Sequence, residues 1–240
     1  MILNNFFFNF FFYKILKNTN IKAKNIYNKK QTNIAIYTIK QTLGRGRLNR
    51  KWISNEGDLT CSFLLKKKIE AENIGKVNLF IAYRILLLLK KKLPEINFKI
   101  KWPNDIYVDN KKLGGILIET TITKKEIDFF IIGIGINIKS SPKHLDYETV
   151  SLKDFGVVVE PISLFFEIAR IFSCLSINSA DKILNINNSF LMNFKDYGKN
   201  IKLKVRSEII EGKFFSINEK GELQILINEN VLNISYGEVI

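Results

Sequence analysis

The sequence predicts an α+β chain with a small all-β tail, and three features of its pattern carry that reading. Two long stretches place apolar residues at helical spacing, shorter stretches alternate with period two, and the last part consists only of short alternating runs. The spacing sets a main domain over 1–197 and a small domain over 198–240. A tail of 43 residues is near the lower limit for a core of its own, so it is expected to pack on its neighbour.

The first helix is expected where Ile74, Val77, Ile81, Ile85 and Leu88 recur at steps of three and four. Lys90, Lys91 and Lys92 sit well at the negative end of its dipole, and Pro94 stops it. Phe98, Ile100 and Trp102 then alternate with Lys99 and Lys101 as a half-buried strand. Ile106–Val108 and Gly115–Ile118 flank Asp109-Asn110, a good turn pair, and a further strand covers Phe129–Ile138. The second helix opens with Pro161 in its first turn and carries the stripe Phe165, Ile168, Ala169, Phe172 and Leu175. In the tail, strands are expected at Ile201–Val205, Lys213–Ile217, Glu222–Ile227 and Val231–Ile234, a small closed or nearly closed β unit.

Composition narrows the function classes. Hydrophobic residues at 46% and charged residues at 25% fit an ordinary globular chain and exclude wholesale disorder. The net charge of +14 invites a nucleic-acid or membrane partner. A rival cause is a compositional bias toward Lys and Asn, since 26 asparagines accompany the lysines. The Phe-rich run from Phe6 to Tyr13 is broken by Asn9 and falls far short of the ~20 residues that span a bilayer. A soluble protein of the cytoplasm is expected. Cys61 and Cys174 lie far apart in apolar surroundings and make neither a metal spacing nor a disulfide framework. The single His144 sits in a polar, Lys-rich loop, which weighs against His-based catalysis and His-ligated metal.

Four segments carry chemistry. Gly44-Arg45-Gly46-Arg47-Leu48-Asn49-Arg50 would make a poor helix or strand, because its cations repel and its glycines weaken both. Such a loop wraps an anion well, with backbone N–H groups turned inward and arginine forks on phosphate or carboxylate; a solvated basic loop and a nucleic-acid grip are the alternatives. Lys101-Trp102-Pro103-Asn104-Asp105 ends a strand, where Asn104 and Asp105 either face a ligand or make a plain turn. Lys112 precedes Gly114 and Gly115, so a cation stands beside bare backbone; an edge-strand lysine is the bland account. In Gly133-Ile134-Gly135-Ile136-Asn137, period two puts both glycines and Asn137 on one face. That strip lets a planar group lie on the strand, or admits a packed helix.

In this order the four segments resemble those of the biotin protein ligases (biotin–carboxyl-carrier ligases). That family's QxxGRGR…W loop is matched by Gln41, Gly44, Arg45, Gly46, Arg47 and Trp52. Its KWPND stands whole at Lys101–Asp105, its KL(A/G)GIL at Lys112–Leu117 and its GxGIN at Gly133–Asn137. The likeness runs from about residue 13 to the end, through Ser151-Leu152 and into the tail at Gly212–Leu223 and Tyr236-Gly237-Glu238. It departs where Asn18-Thr19-Asn20 stands for the family's Ser-Thr-Asn, and where Leu48-Asn49 replaces Arg-Gly.

The resemblance implies the mixed-sheet catalytic domain of the biotin/lipoyl ligase type, related to class II aminoacyl-tRNA synthetases, followed by a small C-terminal β-barrel. It implies that biotin is joined to ATP as biotinyl-5′-adenylate and passed to a lysine of a biotin carboxyl carrier protein, an acyl-CoA carboxylase subunit. Mg²⁺ would come bound to ATP oxygens, with no protein metal site. Lys112 and Arg47 are the implied catalytic residues. Asn18, Thr19, Asn20, Gln41, Arg45, Gly46, Arg47, Lys112, Gly114 and Gly115 are implied for biotin, and Arg45, Arg47, Trp52, Asn104, Ile136 and Asn137 for ATP. Asp105 would either orient Arg47 or receive the carrier lysine. The likeness is to short members without the helix-turn-helix repressor domain, which counts against a nucleic-acid partner. Family members often pair as homodimers through sheet edges, and no residue here decides that point. Rival readings are a lipoate or octanoate ligase, whose Arg-rich triple-glycine signature is missing, a basic nucleic-acid module, and a degenerate member that binds biotin without ligating it.

Overall fold

The computed structural model describes residues 7–143, 145–174 and 186–240, so His144 and Leu175 lie outside the described residues. The described chain groups into two compact units, one from residues 7–71 and 111–174, the other from 72–110 and 186–240.

The first unit is a mixed sheet with a helix on each face. Its strands are β1 (Asn9–Leu16), β2 (Ile34–Gln41), the short pair β3 (Gly44–Arg45) and β4 (Lys51–Trp52), and β5 (Leu59–Glu70). β8 (Lys111–Thr123) and β9 (Glu126–Ile136) follow after two strands of the other unit, β6 (Phe98–Lys101) and β7 (Asp105–Val108). The order is β1-β2-β5-β9-β8, with β1 parallel to β2 and every other of these pairs antiparallel. Helix α1 (Thr19–Lys30) covers one face, packing Ala23 and Tyr27 onto Ile34, Ile36, Leu64, Phe129 and Ile131. Helix α3 (Pro161–Ser173) covers the other face through Phe165 and Phe172, whose ring centroids lie 5.2 and 5.0 Å from that of Phe63. Fully burying such a ring is worth about 1.5–3 kcal/mol, so this cluster dominates that side of the core. From Asn9 onward the Phe-rich start forms β1, and its Phe10 and Phe12 rings pack against Phe165.

The second unit holds α2 (Ile74–Lys92), which packs on the β6–β7 hairpin. Its buried face runs through Val77, Ile81, Ile85 and Leu89, joined by Phe80, Ala82 and Leu86, while Ile74 and Leu88 of the expected stripe are half-buried. The tail is a five-stranded antiparallel sheet in the order β13-β12-β11-β10-β14. It comprises β10 (Asn200–Val205), β11 (Glu208–Ile217), β12 (Leu223–Ile227), β13 (Asn230–Ile234) and β14 (Glu238–Val239). β11 starts at Glu208, earlier than the expected Lys213, because Glu208–Glu211 pair with β10 although their side chains give no apolar alternation.

Candidate active site

The floor of the candidate site is the α1 face of the sheet. Thr60 lies opposite Gly135 and Ser62 opposite Gly133, while on the other side Gly115 pairs with Gly135 and Leu117 with Gly133. Residues directly opposite in a ladder share a face, so Gly115, Gly133 and Gly135 lie side by side on one face. Gly114 pairs with Ile136 on the opposite face, where a Cβ would come 2.6 Å from the Gly135 carbonyl oxygen; there glycine allows β8 and β9 to pair closely. Protein side chains lie on two of the three glycines. Gly133 admits Asn20 of α1, and a Cβ at Gly135 would lie 2.3 Å from the Trp52 indole, which is the planar group on the strip.

The N-terminus of α1 supplies a row of polar groups over this floor. Asn18 caps the helix, accepting from the Ile21 N–H at 3.0 Å, and donates its amide to the Leu43 carbonyl at 3.1 Å. Serine and asparagine are comparable N-caps, so the departure from Ser-Thr-Asn preserves the helix start. Gln41 Oε1 accepts from the Thr19 N–H at 2.7 Å and from its hydroxyl at 3.1 Å. Ser62 Oγ lies 2.7 Å from Thr19 Oγ1 and 2.6 Å from Asn20 Oδ1, so it can accept from the threonine hydroxyl while donating to the asparagine. Asn20 Nδ2 donates to Glu119 Oε2 at 2.6 Å, and Glu119 Oε1 pairs with Arg45 Nη2. Ser62 and Glu119 are the site residues that sequence reasoning missed. Glu119 could have been found, since it continues the period-two face of Gly115 and Leu117.

The basic loop is a hairpin. β3 and β4 pair Gly44 with Trp52 and Arg45 with Lys51, and the Gly46 N–H donates to the Arg50 carbonyl at 2.7 Å. A Cβ at Gly44 would lie 2.5 Å from the Trp52 carbonyl oxygen, so this crossing demands glycine. At the tip Leu48 and Asn49 adopt left-handed φ values of 54° and 58°. Asn49 stands where the family has glycine, and asparagine tolerates this region better than most residues. Asn49→Val, which puts a β-branched side chain there, is expected to speed protease cleavage of the hairpin by about tenfold, and Asn49→Gly to change it by less than about twofold.

Lys112 is no edge lysine. Its N–H donates to the Glu148 carbonyl at 2.9 Å and its own carbonyl accepts from Val150 at 3.0 Å, so the segment around Thr149 pairs with it. Its Nζ lies 5.9 Å from the Trp52 ring and 5.2 Å from the Tyr147 ring. Lys112, Trp52, Tyr147 and Asn137 line one small cleft. Asn137 donates to the Val150 carbonyl at 3.1 Å, while its buried Oδ1 has no partner. Just beyond it, Asp58 Oδ1 accepts the N–H groups of Ile138, Lys139 and Ser140 at 2.9, 2.9 and 3.1 Å and pins the exit of β9.

Asn104 and Asp105 belong to the second unit. They follow a cis Trp102–Pro103 bond; Asn104 is buried, and Asp105 pairs with Lys101 across the hairpin. Burial holds the Lys101 ammonium below the ordinary lysine range, opposed by Asp196.

Among the described residues no three His, Cys, Asp or Glu side chains group as a metal site, and no helix is long and apolar enough to cross a membrane. Cys61 is buried on the α3 side of β5, and burial pushes its thiol well above the usual range. Iodoacetamide is expected to label exposed Cys174 in the native protein and Cys61 only after denaturation, as read by peptide mass spectrometry.

The chain is 29% identical over 210 residues to the bifunctional ligase/repressor of Bacillus subtilis, covering 83% of this chain but 63% of that protein, less than two thirds of its length. To the biotin–[acetyl-CoA-carboxylase] ligase of Mycobacterium tuberculosis it is 25% identical over 215 residues, covering 83% and 76% of the two chains. The solved structure of the biotin protein ligase from Aquifex aeolicus in complex with biotin and ATP matches with a TM-score of 0.76 at 27% identity, covering 97% of each chain. The sequence profile of the Biotin/lipoate A/B protein ligase family matches residues 12–137, more than half of the chain, and the protein belongs to that family.

Proposed function

We propose that this chain activates biotin with ATP and passes the biotinyl group to a lysine of a biotin carboxyl carrier protein. The observation that carries this reading is the placing of Lys112 in one unit with the glycine-lined floor and the polar row of Thr19, Asn20, Gln41 and Ser62. The hydroxyl and amide oxygens of that row suit a ligand that brings N–H donors, as the ureido ring of biotin does. The unpaired Asn137 Oδ1 suits a donor such as the adenine amino group.

In the first step a biotin carboxylate oxygen attacks the α-phosphorus of ATP, the bond to the β-phosphate oxygen breaks, and pyrophosphate leaves. Two unit negative charges at about 4 Å repel by about 4 kcal/mol at an effective dielectric near 20. Lys112 offsets that repulsion by binding the carboxylate and an α-phosphate oxygen where charge collects. Arg47 serves the phosphates, with ATP entering as its Mg²⁺ salt, and the hairpin shields the mixed anhydride from water. In the second step the carrier lysine amine attacks the biotinyl carbonyl and AMP leaves. No covalent enzyme intermediate is needed.

The test is to incubate the chain with biotin, Mg²⁺-ATP and a carrier domain and to search the carrier by mass spectrometry for biotinylated lysine. Modification of one lysine, dependent on ATP, is expected. Biotin binding without adenylate would favour the degenerate reading, and modification by lipoate in place of biotin would overturn the substrate.

A further inference from the structure

We propose that Glu119 is a positioning residue that fastens the basic hairpin to α1. β8 carries Glu119 on the same face as Gly115 and Leu117, because each stands two residues from the last. Its two carboxylate oxygens go to two different elements. Oε1 takes Arg45 from the hairpin and Oε2 takes Asn20 from α1, at 2.6 Å. Asn20 in turn meets Ser62 of β5 at 2.6 Å. One side chain thus ties together the hairpin, the start of α1 and the floor.

Charge makes the assignment sharper. A site that must gather two anions is weakened by any acid placed within it, since that acid repels both substrates. Glu119 stands there nonetheless, half-buried at 29% exposure beside an Arg45 side chain at 39%. It binds Arg45 through one terminal nitrogen of a group with five N–H donors, so the arginine can still hold a ligand oxygen. What the carboxylate contributes is orientation. It sets Arg45 and Asn20 in register with each other, and leaves Lys112 and Arg47 to the reacting groups.

The kinetic part of the test rests on the biotin-ligase reading, and the proteolytic part does not. Glu119→Gln keeps the shape but leaves one oxygen for two donors. Arg45→Gln removes the other partner from a largely exposed side chain. Chymotrypsin suits the comparison because it cuts after Leu43, Leu48 and Trp52 whatever stands at 45. Without ligand, hairpin cleavage is expected to be about fivefold faster in either variant than in the parent, the scale of losing one partly screened charged contact. The double variant should be cut no faster than the single ones, because both break the same link. In pyrophosphate release, Glu119→Gln should raise KM for biotin about fivefold, with kcat and KM for ATP within about twofold. Parent-like cleavage of Glu119→Gln, additive effects in the double variant, or a fall in kcat at unchanged KM would each overturn the role. If the parent chain itself releases no pyrophosphate from biotin and ATP, the ligase reading fails, and the cleavage rates still decide whether Glu119 fastens the hairpin.

Discussion

Lys112→Ala is expected to leave the fold intact and to slow biotinyl-adenylate formation by at least ~100-fold, the scale of removing a group aimed at developing charge. The fold should survive because backbone, not side chain, holds this position. The Lys112 N–H and carbonyl pair with Glu148 and Val150, and those bonds do not change with the side chain. The chemistry should fail because nothing then stands between carboxylate and α-phosphate at their closest approach. Pyrophosphate release measures the rate, and circular dichroism checks the fold. Lys112→Arg should recover only part of the loss, since a planar fork cannot replace a compact ammonium between the Trp52 and Tyr147 rings. Near-normal release from Lys112→Ala would remove this lysine from the mechanism.

Asp58→Ala is expected to destabilise the protein by about 3–5 kcal/mol, read by urea denaturation. Asp58 is 4% exposed and serves three successive backbone N–H groups, and its second oxygen accepts from the Ser140 hydroxyl at 2.7 Å. Deleting it strands donors that cost about 1–3 kcal/mol each where water cannot replace the carboxylate. Asp58→Asn keeps one oxygen for the three N–H groups and should lose only about 1–2 kcal/mol. The segment so pinned begins immediately after Asn137, so nucleotide binding should weaken along with stability. An unchanged urea midpoint in Asp58→Ala would show that the turn after β9 is held by something else.

The parts of the fold legible in the sequence are those whose burial leaves a periodic trace. α3 buries Leu164, Phe165, Ile168, Ala169 and Phe172, an apolar stripe behind a proline start, and the reading from spacing agrees with it. α1 leaves no such trace. Its buried residues are Thr19, Asn20, Ala23 and Tyr27, a face of polar and small side chains chosen to line a site rather than to fill a core. β5 is hidden for a different reason. Residues Leu59–Leu65 are all buried, so the strand shows a continuous run instead of alternation. At the site, glycines and cations at fixed spacing drew attention to the hairpin, to Lys112 and to the Gly133–Asn137 strip. Ser62 gave no signal, being one hydroxyl in an apolar run. The unpaired Asn137 oxygen needed coordinates, because hydrogen-bond bookkeeping depends on distances that no linear pattern contains.

The most direct test of the account is a crystal structure of the chain grown with biotin and Mg²⁺-ATP. It should show the mixed anhydride between the polar row of Thr19, Asn20, Gln41 and Ser62 and the Lys112 side chain, with its phosphate within hydrogen-bonding reach of Lys112 Nζ and its adenine at Asn137. Density for the two substrates well away from Lys112, or for biotin away from the polar row, would contradict it.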